Sequence, residues 1–234
     1  MKFKATFFMI LLFSLTESAK SQAMQQYVLV ETDHSFQDAS GLPSNLVNMS
    51  MPEKIKTTGS EYVNESFSEA TVNNGSQFFD LRYNNYTGYF EYKKSATETI
   101  IIAKEKNKEI QFKDGRKYVL KNIVEKKEQK PTYLLAVGNS SSAVKLFKEE
   151  IVTYIAYQEA LNSYQEQKLP EYKWQKPLYF IEHENTITAV QKSKDIEKMF
   201  PAHAKEIKKF IKQKNIDFNS DDLILVQNYL NSIL

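Results

Sequence analysis

The chain contains no cysteine among its 234 residues. Disulfide bonds are therefore excluded, and so is a lipid-modified cysteine after a signal peptide. An exported protein without disulfides depends on its hydrophobic core alone for stability. This is more typical of bacterial envelope proteins than of small secreted domains from eukaryotes.

Long hydrophobic runs are also missing, except at the start of the chain. Lys2 and Lys4 flank the beginning of the apolar run Ala5–Leu15, which is too short to span a bilayer. Ser21-Gln22-Ala23 then offers small residues at a cleavage site. These features predict a signal peptide at residues 1–23, with an uncleaved anchor as the alternative. We expect export to the periplasm, the cell envelope or the extracellular space, with no transmembrane segment in the mature chain.

The predicted mature chain has almost no net charge. Loss of residues 1–23 removes three lysines and one glutamate, so the basic residues fall from 31 to 28 and the acidic residues from 29 to 28. A nucleic-acid-binding protein needs a basic face, and this balance argues against that class. The remaining roughly 210 residues can bury one sizeable core.

Signatures of catalysis and cofactor binding are missing as well. The chain has no Walker loop, dinucleotide fingerprint, EF-hand loop or His-Glu-x-x-His motif. Ser140–Ser142 lack the Gly-x-Ser-x-Gly context of a nucleophile elbow and indicate a turn. His183 lies between Glu182 and Glu184, but adjacent strand residues point to opposite faces, which favours surface charge over a metal cluster. We predict no cofactor and no metal, and favour a non-catalytic protein.

Strand patterns dominate the middle of the chain. Leu81–Tyr92 is rich in aromatic residues and is interrupted by Asn-Asn and Thr-Gly. Leu81 and Tyr83 alternate with Arg82, which is the period of a half-buried strand. Thr99–Ala103 is a β-branched run that favours a central strand. The segment therefore predicts the middle of an antiparallel sheet.

Hairpins are predicted on either side of short polar turns. Glu109–Phe112 and Lys117–Val124 flank Asp114-Gly115, which predicts a hairpin with a type I′ turn. The charged run Lys126–Lys130 is interpreted as a solvated segment, after which Pro131 restarts the chain. Two further hairpins are predicted from Thr132–Val137 with Ala143–Phe147 and from Pro177–Ile181 with Thr186–Val190.

Other segments are less regular. Lys148–Leu161 fits either a strand or a helix, because Val152-Thr153-Tyr154-Ile155 favours a strand while Ile151 and Ile155 have helical spacing. Lys168–Lys176 contains Pro170 and is interpreted as a polar linker around Trp174.

Short helices are predicted to close the chain. Ser193 is a candidate cap for a first helix, and Pro201 suits the start of a second, Ala202–Lys214. Either Asn219 or Ser220 is predicted to cap a third helix. The expected buried stripes are Ala204, Ile207 and Ile211 on the second helix and Leu223, Val226, Leu230 and Ile233 on the third.

These patterns together predict an α+β fold. We expect an antiparallel β-sheet, curled into a roll or partial barrel, in a β-rich domain at residues 59–190. A helical segment at residues 191–234 packs on it, and an irregular N-terminal arm at residues 24–58 precedes it.

Three motifs and the lysine-rich helix pair carry a family resemblance. The motifs are Gly59–Phe67 (Gly-Ser-Glu-Tyr-Val-Asn-Glu-Ser-Phe), Leu81–Asn84 and Lys113–Val119. In these, the chain resembles a group of uncharacterised secreted proteins of Bacteroidota-type bacteria, over about residues 59–234. The resemblance implies an exported envelope or periplasmic protein with one β-rich domain and C-terminal helices. The group has no assigned activity, so the resemblance implies no functional residues.

A regular row of tyrosines is the candidate binding site. Tyr83, Tyr86, Tyr89 and Tyr92 recur every three residues beside a turn, where some of them are expected to face solvent. Exposed aromatic side chains stack on sugars or anchor protein partners. The alternative is that they are ordinary sheet formers. The leading hypothesis is a non-catalytic exported protein that binds an envelope protein or a glycan through this surface.

The sequence also allows two alternative functions and contains one lysine-rich helix face. A hydrolase would use carboxylates such as Glu61, Glu65 or Asp80 facing each other across a cleft. A structural component of an envelope assembly would present an unpaired edge strand. The lysines of the second helix either contact anionic envelope polymers or form the solvated side of an amphipathic helix; they are Lys205, Lys208, Lys209, Lys212 and Lys214.

Overall fold

The structure is a computed structural model that describes residues 46–47, 57–104, 108–125, 128–159 and 168–234. The predicted signal peptide at residues 1–23 lies outside the described residues. So does most of the predicted N-terminal arm at residues 24–58, of which only the first strand and the last two residues are described.

Antiparallel strands are the main secondary structure of the described chain, which is 42% strand and 19% helix. In chain order the strands are β1 (Leu46–Val47), β2 (Ser68–Val72), β3 (Phe79–Asn84), β4 (Tyr89–Lys93), β5 (Thr99–Ile102), β6 (Glu109–Phe112), β7 (Lys117–Glu125), β8 (Glu128–Val137), β9 (Lys145–Glu149), β10 (Val152–Ile155), β11 (Glu171–Trp174), β12 (Leu178–His183) and β13 (Thr186–Val190).

Three short helices follow the last strand. They are α1 (Ser193–Met199), α2 (Ala204–Lys214) and α3 (Leu223–Ile233), with a 3-10 turn at Pro201–His203 before α2. No helix in the described part of the chain is long and apolar enough to cross a membrane.

Eleven strands form one sheet in the order β1-β5-β4-β3-β2-β6-β7-β8-β9-β12-β13, and β10 and β11 form a separate two-stranded ribbon. The sheet curls into a half-barrel and the helices follow it. The predicted α+β class, with a curled antiparallel sheet and short C-terminal helices, is therefore confirmed.

An aromatic core explains why the sheet curls. Strands β3 and β8 are four positions apart in the sheet, so a flat sheet would hold them roughly 19 Å apart. However, the ring centroids of Tyr83 on β3 and Tyr133 on β8 are 6.2 Å apart. Tyr83 is also 5.1 Å from Tyr118 on β7 and 4.8 Å from Phe90 on β4. The sheet therefore wraps around these rings.

A second core joins the helices to the last strands of the sheet. The sheet and its connecting loop contribute Val137, Val144, Leu146, Tyr179, Ile181 and Val190, and the helical segment contributes Ile196, Phe200, Ile207, Ile211, Leu223, Val226 and Leu230. The predicted burial of Ile207 and Ile211 on α2 and of Leu223, Val226 and Leu230 on α3 is confirmed, and so is the packing of the helices on the sheet. Ala204 and Ile233, the other members of the two predicted stripes, are half-buried.

The hairpin of β6 and β7 is confirmed, but its predicted type I′ turn is wrong. A type I′ turn needs positive φ at both central residues. Gly115 has φ +95°, whereas Asp114 has a negative φ, and the Gly115 N–H donates to the carbonyl of Phe112 at 3.1 Å. This is a type I turn followed by a left-handed glycine. Two-residue turns with positive φ at both positions lie instead at Asn73-Asn74, after β2, and at Glu184-Asn185, between β12 and β13.

The exposure of Glu128–Lys130 agrees with the solvated run predicted at Lys126–Lys130, but the restart predicted at Pro131 is wrong. Strand β8 begins at Glu128 and continues through Pro131, which lies opposite Asn122 of β7. Proline is tolerated there because β9 pairs only with Leu135–Val137. Among the described residues, the first half of β8 therefore pairs only with β7. Its other edge forms no ladder hydrogen bonds within this part of the chain, so a proline without an N–H group is accommodated there.

The polar linker predicted at Lys168–Lys176 is also wrong, because it contains strand β11. Within Lys148–Leu161 the strand alternative is correct: β10 runs from Val152 to Ile155 and pairs with β11. Tyr154 lies directly opposite Tyr172 in this pairing. Cross-strand aromatic contacts therefore stabilise a segment whose polar composition indicates a loop.

The predicted helix caps are displaced by a few residues. Ser193 is the first residue of α1 rather than its cap. The Asp195 carboxylate instead accepts the backbone N–H of Lys192 at 3.1 Å, at the helix start. Helix α3 begins at Leu223, so its N-cap position is Asp222, two residues beyond Ser220.

A buried glutamine joins α3 to the turn between β8 and β9. The Gln227 side chain is fully buried, and its Nε2 donates to the carbonyls of Asn139 at 2.8 Å and Val144 at 3.1 Å. Gly138, at φ +69°, allows this approach, because a Cβ there would lie 2.2 Å from Gln227 Oε1. A substitution of Gln227 or Gly138 that disrupts this contact is therefore expected to separate α3 from the turn between β8 and β9.

We expect Gln227→Glu to destabilise the protein by at least ~2 kcal/mol at pH 8, because a buried carboxylate would face two carbonyl oxygens. Burial raises the pKa of such a carboxyl above its unfolded value. The stability of the variant relative to wild type is therefore greatest at a pH below the pKa that this carboxyl group has in the unfolded chain. It decreases as the pH rises through the higher pKa of the same group in the folded protein. Urea unfolding at pH 5 and pH 8 measures this difference.

The matched control for Gln227→Glu is Asn228→Asp, which adds the same charge at the next, exposed residue. Its effect on the free energy of unfolding is expected to stay within about 0.5 kcal/mol at both pH values. Equal losses in the two variants would contradict the role assigned to Gln227.

Candidate functional site

A buried carboxylate lies at the centre of a polar network on β3 and β4. Glu91 is 1% exposed and lies opposite Arg82 in the strand pairing. Its carboxylate accepts hydrogen bonds from Tyr62 Oη at 2.9 Å, Arg82 Nε at 2.8 Å and Asn84 Nδ2 at 3.1 Å. Arg82 Nη2 lies 2.7 Å from Glu91 Oε2. Each carboxylate oxygen is satisfied, so the charge is fully compensated where it is buried.

The same arginine attaches the irregular segment before β2 to the sheet. The guanidinium carbon of Arg82 lies 3.9 Å from the ring centroid of Tyr62 and 4.4 Å from that of Phe67. Its Nη1 donates to the carbonyl of Glu65 at 3.0 Å. Burial, and then the nearby Glu91 carboxylate, raise the pKa of Tyr62, which therefore remains a hydrogen-bond donor. The network is saturated by its own members and has a structural role.

Two of the four candidate tyrosines belong to the core. Tyr83 is 8% exposed, and burial raises its pKa far above the ordinary value. Tyr92 lies opposite Leu81 in the strand pairing, on the face of the sheet that carries Tyr83. Its ring packs edge-on against Phe79, with ring centroids 5.7 Å apart. Their three-residue spacing spans two strands and a turn, so it does not give a common face. Tyr83 and the core side of Tyr92 do not form a surface for a partner.

Tyr89 makes an internal contact as well. The ammonium of Lys104 lies 4.3 Å from the centroid of the half-buried Tyr89 ring, and Lys104 Nζ donates to the carbonyl of Pro131 at 3.2 Å. The ring therefore helps to hold a buried lysine against β8.

Tyr86 meets two tyrosines of the β10–β11 ribbon. Its ring centroid is 6.0 Å from Tyr154 and 5.3 Å from Tyr172, and these two are 5.2 Å apart. We call Tyr86, Tyr154 and Tyr172 the tyrosine cluster. All three are half-buried, and burial, with Tyr154 as the next contribution, raises the pKa of Tyr86. Three separate segments of the chain thus supply one aromatic cluster.

The ribbon extends beyond β10 and β11 and carries exposed apolar side chains. Gln158 and Lys168 exchange backbone hydrogen bonds of 3.0 and 2.9 Å, which continues the pairing. We call residues 152–159 and 168–174 the aromatic arm. It exposes Tyr157 at 46%, Leu169 at 45% and Trp174 at 42%. Apart from Tyr86, none of these residues belongs to the predicted tyrosine row. One sequence signal for the arm was missed: Tyr172 and Trp174 are two residues apart, the spacing of side chains on one face of a strand, inside the segment predicted to be a linker.

The arm is attached to the body of the protein by backbone contacts. The N–H of Thr58 donates to the carbonyl of Pro170 at 2.9 Å, and the N–H of Tyr172 donates to the carbonyl of Thr58 at 2.8 Å. Asn85 Nδ2 donates to the carbonyl of Glu150 at 3.2 Å, just before β10. Gly59 passes so close that a Cβ there would lie 2.2 Å from the Tyr172 carbonyl oxygen. These contacts hold the arm beside Tyr86.

The carboxylates of the hydrolase hypothesis do not share one environment. Glu61 is buried, whereas Glu65 and Asp80 are exposed, and Asp80 lies opposite Glu69 in the pairing of β2 with β3. A glycosidase places an acid in apolar surroundings opposite an ionised partner. The observed burial of these three residues gives that hypothesis no support.

The charged residues around His183 do not converge. Glu182 is held by Lys121 Nζ at 2.5 Å and by Lys145 Nζ at 3.6 Å, while the His183 ring packs 5.0 Å from that of Phe200. In the part of the chain that the structure describes, no group of three or more His, Asp or Glu side chains is placed to hold a metal ion.

A shallow crevice lies where the segment before β2 meets the aromatic core. The residues that line it include Val63, Ser66, Tyr83, Asn85 and Arg116. It encloses no space for a small molecule. The exposed aromatic arm is therefore a better candidate for binding than this crevice.

The buried network predicts a large effect of removing its cation. Arg82→Met leaves the Glu91 carboxylate buried without its partner, so we expect a loss of about 3–5 kcal/mol in the free energy of unfolding. The control is Lys113→Met, which breaks an ion pair with Glu69 that is about half exposed and is expected to cost less than ~1 kcal/mol. Urea denaturation at pH 7 compares them, and similar small losses would refute the structural role of the network.

Gly59 predicts a specific effect on the arm. Gly59→Ala combines left-handed strain at φ +74° with a clash against Tyr172, whereas Gly115→Ala, at φ +95°, meets nothing within 4 Å. We expect about 1–2 kcal/mol of destabilisation from strain in both variants and a further loss in Gly59→Ala.

Trp174, the one tryptophan of the chain, reports on the arm directly. Acrylamide quenching of its fluorescence should increase in Gly59→Ala and remain at the wild-type level in Gly115→Ala. Unchanged quenching in both variants would show that Thr58 and Gly59 do not position the arm.

Comparison of the chain with protein-family models, with curated proteins and with solved structures gives no match.

Proposed function

We propose that this is an exported, non-catalytic protein that binds a protein partner in the cell envelope or its surroundings through the aromatic arm. The observation that carries the proposal is the exposure of Tyr157, Leu169 and Trp174 on one two-stranded arm. Export rests on the signal-peptide features of residues 1–23.

The side chains of the arm suit a protein interface. Trp and Tyr are enriched among residues that dominate binding energy, because each buries a large area at a small cost in conformational entropy. Leu169 adds an aliphatic side chain, which contributes to a protein interface and has no flat face to stack on a sugar ring. A protein partner is therefore favoured over a glycan, the other partner class expected from the aromatic content.

The attachment of the arm favours binding as well. The tyrosine cluster and the backbone bonds of Thr58 hold the described part of the arm in one conformation. A binding segment that is already ordered loses less conformational entropy when its partner binds. The tyrosine cluster thus supports the exposed residues rather than forming the contact surface by itself.

A structural role in an envelope assembly is the second candidate. The observation that favours it is the position of β13 at the end of the sheet order, where it pairs only with β12 among the described strands. An edge strand of this kind accepts a strand from another chain.

Site-specific photo-crosslinking tests these proposals in cells that make the protein. A photoreactive phenylalanine analogue is introduced at Tyr157, at Trp174, at Ile187 of β13 or at Phe78. We expect one discrete adduct with a protein from positions 157 and 174, and an exported product whose N-terminus is Met24. Phe78 is the matched control because it is exposed to 47% and lies outside the arm.

Binding of the recovered partner then measures the contribution of the arm. Tyr157→Ala and Trp174→Ala should each weaken it at least ~10-fold, with no effect of Phe78→Ala. Adducts from position 187 alone would favour the assembly role instead. A protein retained in the cytoplasm with its first 23 residues would contradict export.

A further inference from the structure

We propose that helix α2 carries a second binding site, for an acidic polysaccharide. The site is the lysine face of the helix, which consists of Lys205, Lys208, Lys209 and Lys212. It lies on a different element from the aromatic arm and does not depend on the function proposed for that arm.

The four lysines form one stripe along the helix. Their spacing of i, i+3, i+4 and i+7 places them within an arc of about 100°. All four are exposed, whereas Ile207 and Ile211 are buried in the core on the opposite side. Packing of Ile207 and Ile211 in this core therefore orients the helix so that the lysines point to solvent as a group.

No carboxylate of the described chain neutralises this face. Elsewhere in the described chain, the lysines with a carboxylate oxygen within 4.0 Å include Lys94, Lys113, Lys117, Lys121, Lys130, Lys145 and Lys148. None of the four lysines of the face has such a partner among the described residues. The one glutamate of α2, Glu206, lies 3.3 Å from His203 instead.

The positive charge is concentrated around this helix. Residues 192–214 contain eight lysines and three carboxylates, although the predicted mature chain has equal numbers of both signs. A local excess on a nearly neutral protein attracts a polyanion to one surface without making the whole protein cationic.

The chemistry of the face favours a polysaccharide over other polyanions. Proteins that bind a lipid surface insert apolar side chains, but the exposed residues of α2 are all lysine, glutamate or glutamine. Lysine is a point charge that suits repeated carboxylate or sulfate groups along a flexible chain, whereas arginine provides bidentate recognition of a single phosphate. The aromatic ring of α2, Phe210, is half-buried and already stacks on Tyr229, with ring centroids 4.1 Å apart, which disfavours stacking of a nucleic-acid base.

The test measures binding of the full mature chain to two probes, heparin and polygalacturonate, by isothermal titration calorimetry at several salt concentrations. In the variant, all four lysines of the face are changed to glutamine, which keeps a similar helix propensity. The control variant changes Lys93, Lys108, Lys173 and Lys176 to glutamine. These are also exposed and without a carboxylate within ion-pair distance in the described chain. The two variants therefore have the same net charge.

We expect the face variant to lose at least ~10-fold in affinity for both probes, with a smaller dependence of affinity on salt, because fewer counterions are displaced. The control variant should lose less than ~3-fold. Equal losses would overturn the proposal, since they would show attraction by net charge alone. It would also be overturned by tighter binding of duplex DNA, or of vesicles containing phosphatidylglycerol, than of either polysaccharide at the same ionic strength.

Discussion

The packing of Tyr83 against rings from distant strands is the contact on which the shape of the protein depends. Tyr133 is four strands away in the sheet, yet the two rings are 6.2 Å apart. Closing this distance curls the sheet and gives it an inner face of aromatic side chains. On the other face of the same strand pair, Arg82 and Glu91 bind the segment from Gly59 to Phe67. Successive side chains of β3 thus point to opposite faces: Tyr83 packs in the aromatic core, and Arg82 holds the Gly59–Phe67 segment.

The sequence was sufficient to predict the class of fold and the helix faces. Alternation of apolar and polar residues predicts β3, and the spacing of Ile207 and Ile211 predicts the buried side of α2, because both patterns are local. The turn at Asp114 was assigned the wrong type, since an Asp-Gly pair fits a type I turn followed by a left-handed glycine as well as a type I′ turn. Local composition determines that a hairpin forms but does not determine its loop length.

The candidate site was harder to predict because it depends on contacts between distant segments. The tyrosine row includes Tyr86, which belongs to the tyrosine cluster, but its three-residue spacing ignores strand register, which places Tyr83 in the core. The partners of Tyr86 come from a segment interpreted in part as linker, and only the pairing of β10 with β11 brings Tyr154 and Tyr172 together. A single sequence contains no signal for that pairing. Features that depend on tertiary contacts therefore required the structure.

The position of the aromatic arm between two paired strands has a consequence for how this surface can change. Glu149 at the end of β9 lies directly opposite Leu178 at the start of β12, although the arm occupies the chain between them. In topological terms the arm is an insertion into a β-hairpin, and a short turn could close that hairpin without it. The sheet therefore keeps its register whatever the length or composition of the insertion. Recognition can diversify at this position under weaker constraint from folding than at any position within a central strand.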